Sequence, residues 1–398
     1  MLKQFLDAIF RDGQIVVRAP DGTAYAANGA READCPLVVH VRDNKTLWCI
    51  MRNPELAIGE AYMDGGFVVE RGTIYDFLAL AARNGRRVKQ RRRTLMHKNP
   101  RKQSRKNVAH HYDLAGDLYR MFLDADRQYS CAYFSEPGMT LDEAQAAKKK
   151  HLASKLLVEA NHKVLDIGSG WGGMGLTLAE EYGAAVTGVT VSTEQLEESR
   201  MRAAKRGLQA RARFELCDYR DVQGTFDRII SVGMFEHVGA AHYQEFFDTV
   251  AARLAADGVA VVHTIGNFRG PNRNNPWIEK YIFPGGMIPA LSQITPAVER
   301  AGLIITDIEI LRLHYAETLK AWRERFLAHW DEAAALYDER FCRMWEFYLA
   351  GAEAGFREGD LAVFQIQMAK DRHAVPLTRD YITDGDRATP AAHRIAAE

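Results

Sequence analysis

Apolar positions in the second half of this 398-residue chain fall into short runs separated by amphipathic segments. Strands are predicted at 163–168, 185–191, 213–217, 227–232 and 259–264. Helices fit the segments between them. This alternation predicts an α/β fold with a doubly wound, mostly parallel sheet and helices on both faces. Two further runs, 303–312 and 361–369, predict the final strands, and a long helical stretch at about 316–357 lies between them.

The first 80 residues have a different pattern, in which short alternating runs are interrupted by turn signals. The runs are 15–17, 37–41 and 46–51, and the turn signals are Asp21-Gly22 and Asp43-Asn44. This arrangement predicts antiparallel hairpins. Asn53-Pro54 then predicts the first turn of a helix that ends near Gly65. Residues 1–80 are therefore interpreted as a small α+β domain.

The net charge indicates no particular partner, but the distribution of charged residues along the chain does. The 52 basic and 52 acidic side chains cancel. From Arg83 to Lys106, however, there are twelve Lys or Arg and no acidic residue. We interpret residues 81–108 as a basic linker between the small domain and a catalytic domain at 109–383. The small, polar segment 384–398 is predicted to be a disordered tail.

The basic linker fits three kinds of environment. It could contact an anionic membrane surface, where each Lys or Arg contributes roughly 1 kcal/mol. It could neutralise nucleic-acid phosphates, or it could simply be solvated. No Phe, Tyr or Trp interleaves the run, which disfavours base stacking, and no nucleic-acid partner is expected.

The cysteines and the N-terminus favour a cytoplasmic protein. Five cysteines without CxxC spacing predict neither a disulfide framework nor a structural zinc site, and no metal is expected. No run approaches the roughly 20 apolar residues that span a bilayer. The N-terminal residues lack the continuous apolar region of a signal peptide.

A glycine-rich turn with the sequence DIGSGWGG follows the strand at 163–168 and opens a helix. Gly168, Gly170 and Gly173 also have the spacing of a dinucleotide fingerprint. That fingerprint requires an acidic residue about 20 positions further on, where this chain has the segment 190–192, TVS. Asp166 before the first glycine favours S-adenosylmethionine (SAM) instead. A turn that serves packing alone is the third interpretation.

Seven motifs in a fixed order give a specific resemblance. They are YSCAYF (129–134), VLDIGSGWGG (164–173), GVTVSTEQ (188–195), DYRDV (218–222), SVGMFEHVG (231–239), HTIG (263–266) and PWIEKYIFPGG (276–286). Together they resemble the cyclopropane-fatty-acid synthase and mycolic-acid methyltransferase family from about His110 to Phe364. Residues 1–90 resemble the N-terminal extension of the bacterial members that act on phospholipids.

The resemblance implies a SAM-dependent enzyme with the methyltransferase type of α/β sheet. An alkene in a phospholipid acyl chain attacks the methyl group of SAM, and a carbocation forms. Loss of a proton to bound bicarbonate then closes a cyclopropane ring. Such a reaction depends on positioning and on exclusion of water. Three alternatives stay open: a methyl-branched or methylene product, a small-molecule N-methyltransferase, and a lipid-binding protein without activity.

The same resemblance assigns candidate residues. The bicarbonate site would consist of Cys131, Glu236, His263, the backbone of Ile265, and Tyr315. The SAM site would consist of Tyr129, Ser130, Asp166, Gly168, Gly170, Gly172, Thr190, Gln195, Asp218 and Tyr219. In the latter, the glycines approach the methionine and ribose, Asp218 accepts from the adenine amino group, and Tyr129 closes over the methionine end. Most of these side chains also have a structural interpretation; Cys131, for example, is equally suited to a buried apolar position.

One position departs from the family pattern. Many relatives carry a cysteine in the late helix where this chain has Ala352, so a covalent role for that thiol is excluded here. The expected partner is unsaturated phospholipid at the inner face of the membrane, with the protein peripherally associated. A homodimer is left open.

Overall fold

The computed structural model describes residues 2–29, 36–85, 116–272 and 274–388. The predicted basic linker lies outside these residues from 86 onward, as does the predicted tail from 389 onward. Among the described helices, none is both long enough and apolar enough to cross a membrane.

The N-terminal region combines a four-stranded sheet with helices, as expected of an α+β arrangement. Its elements are α1 (Leu2–Ile9), β1 (Gln14–Arg18), β2 (Ala24–Asn28), β3 (Leu37–Val41), α2 (Asn44–Arg52), α3 (Pro54–Met63), β4 (Phe67–Arg71) and α4 (Ile74–Gly85). The strand order is β2–β1–β3–β4. Strands β1 and β2 form the predicted antiparallel hairpin, whereas β3 lies parallel to β1.

The strand predicted at 46–51 is wrong, because these residues belong to helix α2. Asp43 Oδ1 accepts a hydrogen bond from the backbone N–H of Thr46 at 2.8 Å. Asp43 therefore caps a helix instead of starting a hairpin turn. The antiparallel partner of β3 is β4. The helix predicted from Asn53-Pro54 is confirmed as α3, although the Asn53 side chain makes no capping hydrogen bond.

The middle of the chain contains the predicted alternation of strands and helices. Its elements are α5 (Gly116–Phe122), α6 (Leu141–Leu156), β5 (Lys163–Ile167), α7 (Gly173–Glu181), β6 (Ala185–Thr190), α8 (Thr193–Lys205), β7 (Ala212–Leu216), β8 (Phe226–Val232), α9 (Tyr243–Arg253) and β9 (Leu254–Asn267). The remaining elements are α10 (Pro276–Tyr281), α11 (Leu291–Arg300), β10 (Ile304–Leu311), α12 (His314–Ala328), α13 (Trp330–Leu336), α14 (Glu339–Arg357), β11 (Leu361–Ala369) and α15 (Asp380–Arg387). The single stretch predicted at 316–357 is thus three helices.

Seven strands form the second sheet in the order β10–β11–β9–β8–β5–β6–β7. The pairs β5–β6, β6–β7, β5–β8 and β8–β9 are parallel, and β10–β11 is antiparallel. This confirms the predicted mostly parallel, doubly wound sheet. Alternate residues of β5 pack on opposite faces: Leu165 and Ile167 join one buried cluster and Val164 the other.

Helix α15 corrects the predicted start of the tail, because residues 384–387 are helical. Asp386 Oδ1 accepts a hydrogen bond from Ser154 Oγ at 3.1 Å, and its Oδ2 lies 2.8 Å from His151 Nδ1. These contacts anchor a segment whose composition alone predicts disorder.

The chain divides into two compact units. Of the described residues, the first unit holds 2–85, 274–284 and 315–361, and the second holds 116–272, 285–314 and 362–388. The segment predicted as one catalytic domain, 109–383, therefore contributes residues to both units.

Candidate active site

The candidate site lies at the carboxyl ends of the central strands in the second unit. Strand β5 is paired with β6 on one side and with β8 on the other. The chain reaches β7 at one edge and then crosses to β8, so the strand order reverses at β5. Ligands of doubly wound sheets bind at such a switch point.

The glycine-rich turn begins where β5 ends, and its backbone requires glycine. Gly168 has φ +77°, and a Cβ atom there would lie 2.7 Å from Met234 Cβ. Gly172 has φ +81°, and a Cβ would lie 2.8 Å from Phe214 Cζ. Gly170 has a positive φ but open space beside its Cα. The turn therefore brings bare backbone to the sheet edge, next to the N-terminus of α7.

Nine of the ten predicted SAM-site residues line one cavity at this edge. They are Tyr129, Ser130, Asp166, Gly168, Gly170, Thr190, Gln195, Asp218 and Tyr219. Gly172 is the exception, since it precedes α7 and packs against Phe214. The spatial grouping agrees with the expectation of one ligand pocket.

Hydrogen bonds orient the polar groups at the ends of β6 and β7. Thr190 Oγ1 donates to Gln195 Oε1 at 2.8 Å. Asp218 accepts from Nε and Nη2 of Arg220 at 2.8 and 2.7 Å. Arg220 also lies over the Tyr219 ring, with its guanidinium carbon 5.4 Å from the ring centroid. Asp218 is thereby fixed as a charged acceptor beside the cavity.

Lys148 on α6 supports the cavity wall and was not predicted from the sequence. Its buried Nζ donates to Gln128 Oε1 at 2.6 Å and to Ser130 Oγ at 2.8 Å. Burial lowers the pKa of Lys148 to about 8. Burial also raises the pKa of the cavity residue Asp166 to about 7, an effect that the charge of Lys148 opposes. Lys148 shares a helical face with the buried residues Leu141 and Leu152, but the neighbouring lysines of α6 favour a solvated helix and hide this signal in the sequence.

Glu236 lies in a short 3-10 turn, Phe235–His237, just beyond β8. Its Oε1 accepts a hydrogen bond from the backbone N–H of Ile265 at 2.7 Å. Its buried Oε2 makes no hydrogen bond to any described residue. Burial raises the pKa of Glu236 to about 7, although the Ile265 N–H opposes this shift. A protonated Glu236 would carry its proton on Oε2, because Oε1 is already an acceptor.

The neighbouring residues of Glu236 connect it with the cavity. Met234 and His237, on either side in sequence, both line the cavity. Burial lowers the pKa of His237 to about 4, so its imidazole is neutral near pH 7.

His263 and Cys131 are buried in the same unit. His263 lies within β9, opposite Val232 of β8, and its Nδ1 is 3.2 Å from Gln365 Nε2. Burial lowers the pKa of His263 well below its usual value. The Cys131 Sγ donates to the backbone carbonyl of Ala132 at 3.3 Å. Among the residues predicted for the bicarbonate site, a direct hydrogen bond connects Glu236 with the backbone of Ile265.

Tyr315 belongs to the first unit, near the start of α12. Its ring packs against Trp322 and Phe356, with centroids 5.7 and 4.7 Å away. Ala352 lies within α14 of the same unit. Cys342 of this helix is buried, and burial raises its pKa to about 11. A thiol with this pKa is a poor nucleophile near neutral pH.

Comparison with known proteins gives consistent results. The family model described as mycolic acid cyclopropane synthetase matches residues 99–366. The chain is 41% identical over 285 residues to a probable fatty acid methyltransferase of Pseudomonas putida, covering 69% of this chain and 72% of that protein. It is 37% identical over 353 residues to cyclopropane-fatty-acyl-phospholipid synthase of Escherichia coli strain K12, covering 87% and 90%.

A solved structure extends the likeness to three dimensions. A mycolic acid cyclopropane synthase in complex with SAH and CTAB aligns with a TM-score of 0.63 at 34% sequence identity. The alignment covers 66% of this chain and 97% of that one.

Proposed function

The chain belongs to the mycolic acid cyclopropane synthetase family, and from this premise we propose that it converts cis double bonds of unsaturated phospholipid acyl chains into cyclopropane rings. Membership makes the protein a SAM-dependent methyltransferase that acts on fatty acyl chains. The ring product, the phospholipid substrate and the bicarbonate base are our proposal. The observation that carries it is the buried carboxyl group of Glu236, whose Oε2 has no hydrogen-bond partner among the described residues and whose sequence neighbours Met234 and His237 line the cavity.

The cavity residues suit SAM as the ligand. A Cβ at Gly168 would collide with Met234, whereas the backbone at Gly170 is open. Asp218 is a fixed acceptor suited to an adenine amino group, and Tyr219 lies next to it in the cavity. When bound, SAM supplies an electrophilic methyl group. The role of the chain is to orient both reactants, because an alkene is a weak nucleophile and its attack depends on geometry.

The surroundings of Glu236 suit a reaction that must exclude water. Phe235 is fully buried, and its ring stacks on that of Tyr243 with centroids 4.5 Å apart. Burial and the nearby Glu236 raise the pKa of Tyr243, so its hydroxyl keeps its proton. This apolar packing excludes water from the surroundings of Glu236, as a cationic acyl chain requires until it loses a proton.

The proton acceptor in this proposal is a bound bicarbonate ion. A protonated Glu236 has one free donor, Oε2–H, and a buried donor without a partner fits an anion. Cys131, His263 and Ile265 of the same unit are assigned to this ion by the family resemblance. General acid–base catalysis of this kind contributes about 10²- to 10⁴-fold to a rate.

The substrate is proposed to be presented by an anionic membrane. The basic stretch from Arg83 to Lys106 would supply electrostatic attraction, which predicts salt-sensitive pelleting with anionic vesicles. Replacing Arg91, Arg92 and Arg93 with Gln should reduce that pelleting. Zwitterionic vesicles are the control, and equal pelleting of both proteins on anionic vesicles would remove the linker from the proposal.

A methyl-branched or methylene product is the second candidate. The relative from Pseudomonas putida bears the name of a fatty acid methyltransferase, and the two outcomes share the same cation. The ring closes when the new methyl group loses a proton and its carbon bonds to the cationic carbon. A methylene product instead requires a hydride shift onto the cationic carbon before the same methyl group loses a proton, and a saturated methyl branch also requires a hydride donor.

The test is incubation with methyl-labelled SAM and vesicles of monounsaturated phospholipid, followed by mass spectrometry of the acyl chains. We expect a gain of one CH2 per double bond, and NMR then distinguishes ring from branch. Vesicles of saturated phospholipid are the matched control and should acquire no label. Label found only on amines would contradict the proposal.

A further inference from the structure

His263 has a defined hydrogen-bond partner on the neighbouring strand. Its ring is buried within β9, and Nδ1 lies 3.2 Å from Nε2 of Gln365 on β11. A neutral imidazole has one donor nitrogen and one acceptor nitrogen. Which nitrogen of His263 carries the proton therefore depends on what Gln365 offers to Nδ1.

Lys155 determines the orientation of the Gln365 side chain. Its Nζ donates to Gln365 Oε1 at 2.7 Å. A lysine ammonium has three donors and no acceptor, so the amide atom facing it must be the oxygen. The NH2 group of Gln365 is then directed at His263 Nδ1, which must accept.

Lys155 is fully buried but lies in a balanced set of charges. It is paired with Glu309, which also lies 2.7 Å from His151 Nε2. The other nitrogen of His151 lies 2.8 Å from Asp386 Oδ2. Hydrogen bonds to these carboxylates raise the pKa of His151 despite its burial. Glu309 likewise opposes the lowering of the Lys155 pKa by burial, so the ammonium form persists.

We propose that Lys155 and Gln365 are positioning residues that hold His263 as the tautomer protonated on Nε2, so that His263 donates a hydrogen bond to the acceptor bound in the candidate site. The chain of contacts is Glu309–Lys155–Gln365–His263, and all four residues belong to the second unit. The role in the site rests on the proposed function, whereas the tautomer itself does not. The strongly lowered pKa of His263 supports the neutral form that this assignment requires.

The tautomer is measurable in the unliganded protein. Long-range proton–nitrogen correlation spectra of the ¹⁵N-histidine-labelled full chain distinguish a protonated ring nitrogen from an unprotonated one. The His263 signals are identified by their loss in His263→Asn. We expect Nδ1 to be unprotonated and Nε2 to be protonated. A wild-type spectrum with the proton on Nδ1 would overturn the proposal.

The substitution Gln365→Glu tests whether Gln365 determines which nitrogen of His263 is protonated. A carboxylate can pair with Lys155 but cannot donate to His263, so Nδ1 should become protonated. The matched control is Gln367→Glu, the same substitution at a buried residue two positions further along β11. Gln367 donates to the backbone carbonyl of Lys155 and accepts from the hydroxyls of Thr306 and Tyr381, whereas the Lys155 ammonium bonds Gln365. Its variant should therefore keep the wild-type His263 pattern. An unchanged His263 spectrum in Gln365→Glu would refute the assignment.

Should Gln365→Glu fail to fold, Gln365→Met keeps the length and removes both polar atoms. His263 should then populate both tautomers, and a spectrum that still shows pure Nε2–H would contradict the role of Gln365.

Enzyme activity tests the proposed role of His263 in the reaction separately from its tautomer. In Gln365→Glu we expect turnover to fall roughly 10- to 100-fold, by analogy with the hydrogen-bonding partners of metal-ligating histidines. SAM affinity should be unchanged, and Gln367→Glu should retain wild-type turnover. Wild-type turnover in Gln365→Glu, with the tautomer altered, would refute the positioning role. Absence of acyl-chain methylation by the wild-type enzyme would instead refute the proposed function and leave the tautomer result standing.

Discussion

Replacing Glu236 with Gln should change how the stability of the second unit depends on pH. Burial raises the pKa of this carboxyl group from 4.5 to about 7. Between these values the folded protein binds more protons than the unfolded chain, so the free energy of unfolding falls as the pH rises. A shift of about 2.5 units at 1.36 kcal/mol per unit corresponds to about 3 kcal/mol. The wild type loses this stability between pH 4.5 and 7, and Glu236→Gln does not.

The substitution isolates the carboxyl group because an amide preserves the local geometry. The Gln oxygen can still accept from the Ile265 N–H, as Glu236 Oε1 does at 2.7 Å. The titration of Asp166, which burial shifts in the same direction, is present in both proteins and cancels in the difference. The stability of Glu236→Gln relative to wild type should therefore increase by about 3 kcal/mol from pH 4.5 to pH 8.

Hydrogen exchange of peptides from β8 and β9 is a suitable assay. Wild type and variant are compared at the same pH, so the intrinsic pH dependence of amide exchange cancels. Glu197→Gln, at an exposed position of α8, is the control and should parallel the wild type. A stability difference between Glu236→Gln and wild type that is the same at pH 5 and pH 8 would refute the raised pKa.

The same Glu236→Gln variant should lose about 100-fold in turnover while its calorimetric affinity for SAM is retained. Equal losses in turnover and affinity would place Glu236 in the SAM site instead.

One glycine substitution in each unit tests the local geometry. Gly168→Ala places a methyl group 2.7 Å from Met234 Cβ at a residue with φ +77°. Because left-handed backbone costs an L-residue about 1–2 kcal/mol, we expect calorimetry to give a roughly tenfold weaker affinity for SAM. An unchanged affinity would contradict this. Gly59→Ala in α3 places a methyl group 2.4 Å from Nε1 of the buried Trp277 and should destabilise the first unit by about 1–3 kcal/mol in denaturant titrations. The matched variant Gly351→Ala in α14, 3.8 Å from its nearest neighbour, should instead stabilise it by up to about 1 kcal/mol, and a loss there as large as that at Gly59 would remove the steric explanation.

The second sheet was predictable because its signals are local and repeated. Each strand of the alternating region is a short apolar run, and the parallel arrangement follows from the helices between them. The glycine turn was predictable for the same reason, since its residues are contiguous. The N-terminal sheet was less predictable, because Asp43-Asn44 fits a hairpin turn and a helix N-cap equally well. Only the pairing of β3 with β1 and β4, which is not local, decides between them.

The supporting residues of the candidate site could not be predicted in the same way. Lys148 and Lys155 lie on a lysine-rich helix whose sequence suggests a solvated surface. Both are fully buried, and the partners that stabilise the charge of Lys155 lie far away in sequence. Glu309 is 154 residues from Lys155, and Gln365 is 210 residues away. A buried cation is stable in a fold only when such partners are present, and a single sequence does not reveal them.

The protonation states of Glu236 and His263 bear on which group accepts the proton in the proposed reaction. Glu236 has a carboxyl group that burial biases towards the protonated form, and its free oxygen then acts as a donor. His263, held by Gln365, offers Nε2–H and has its lone pair engaged on Nδ1. Two neutral donors favour the binding of an anion, because they satisfy it without the cost of burying a second charge. In this arrangement neither side chain would be the base, and the anion that they hold would accept the proton of the acyl cation.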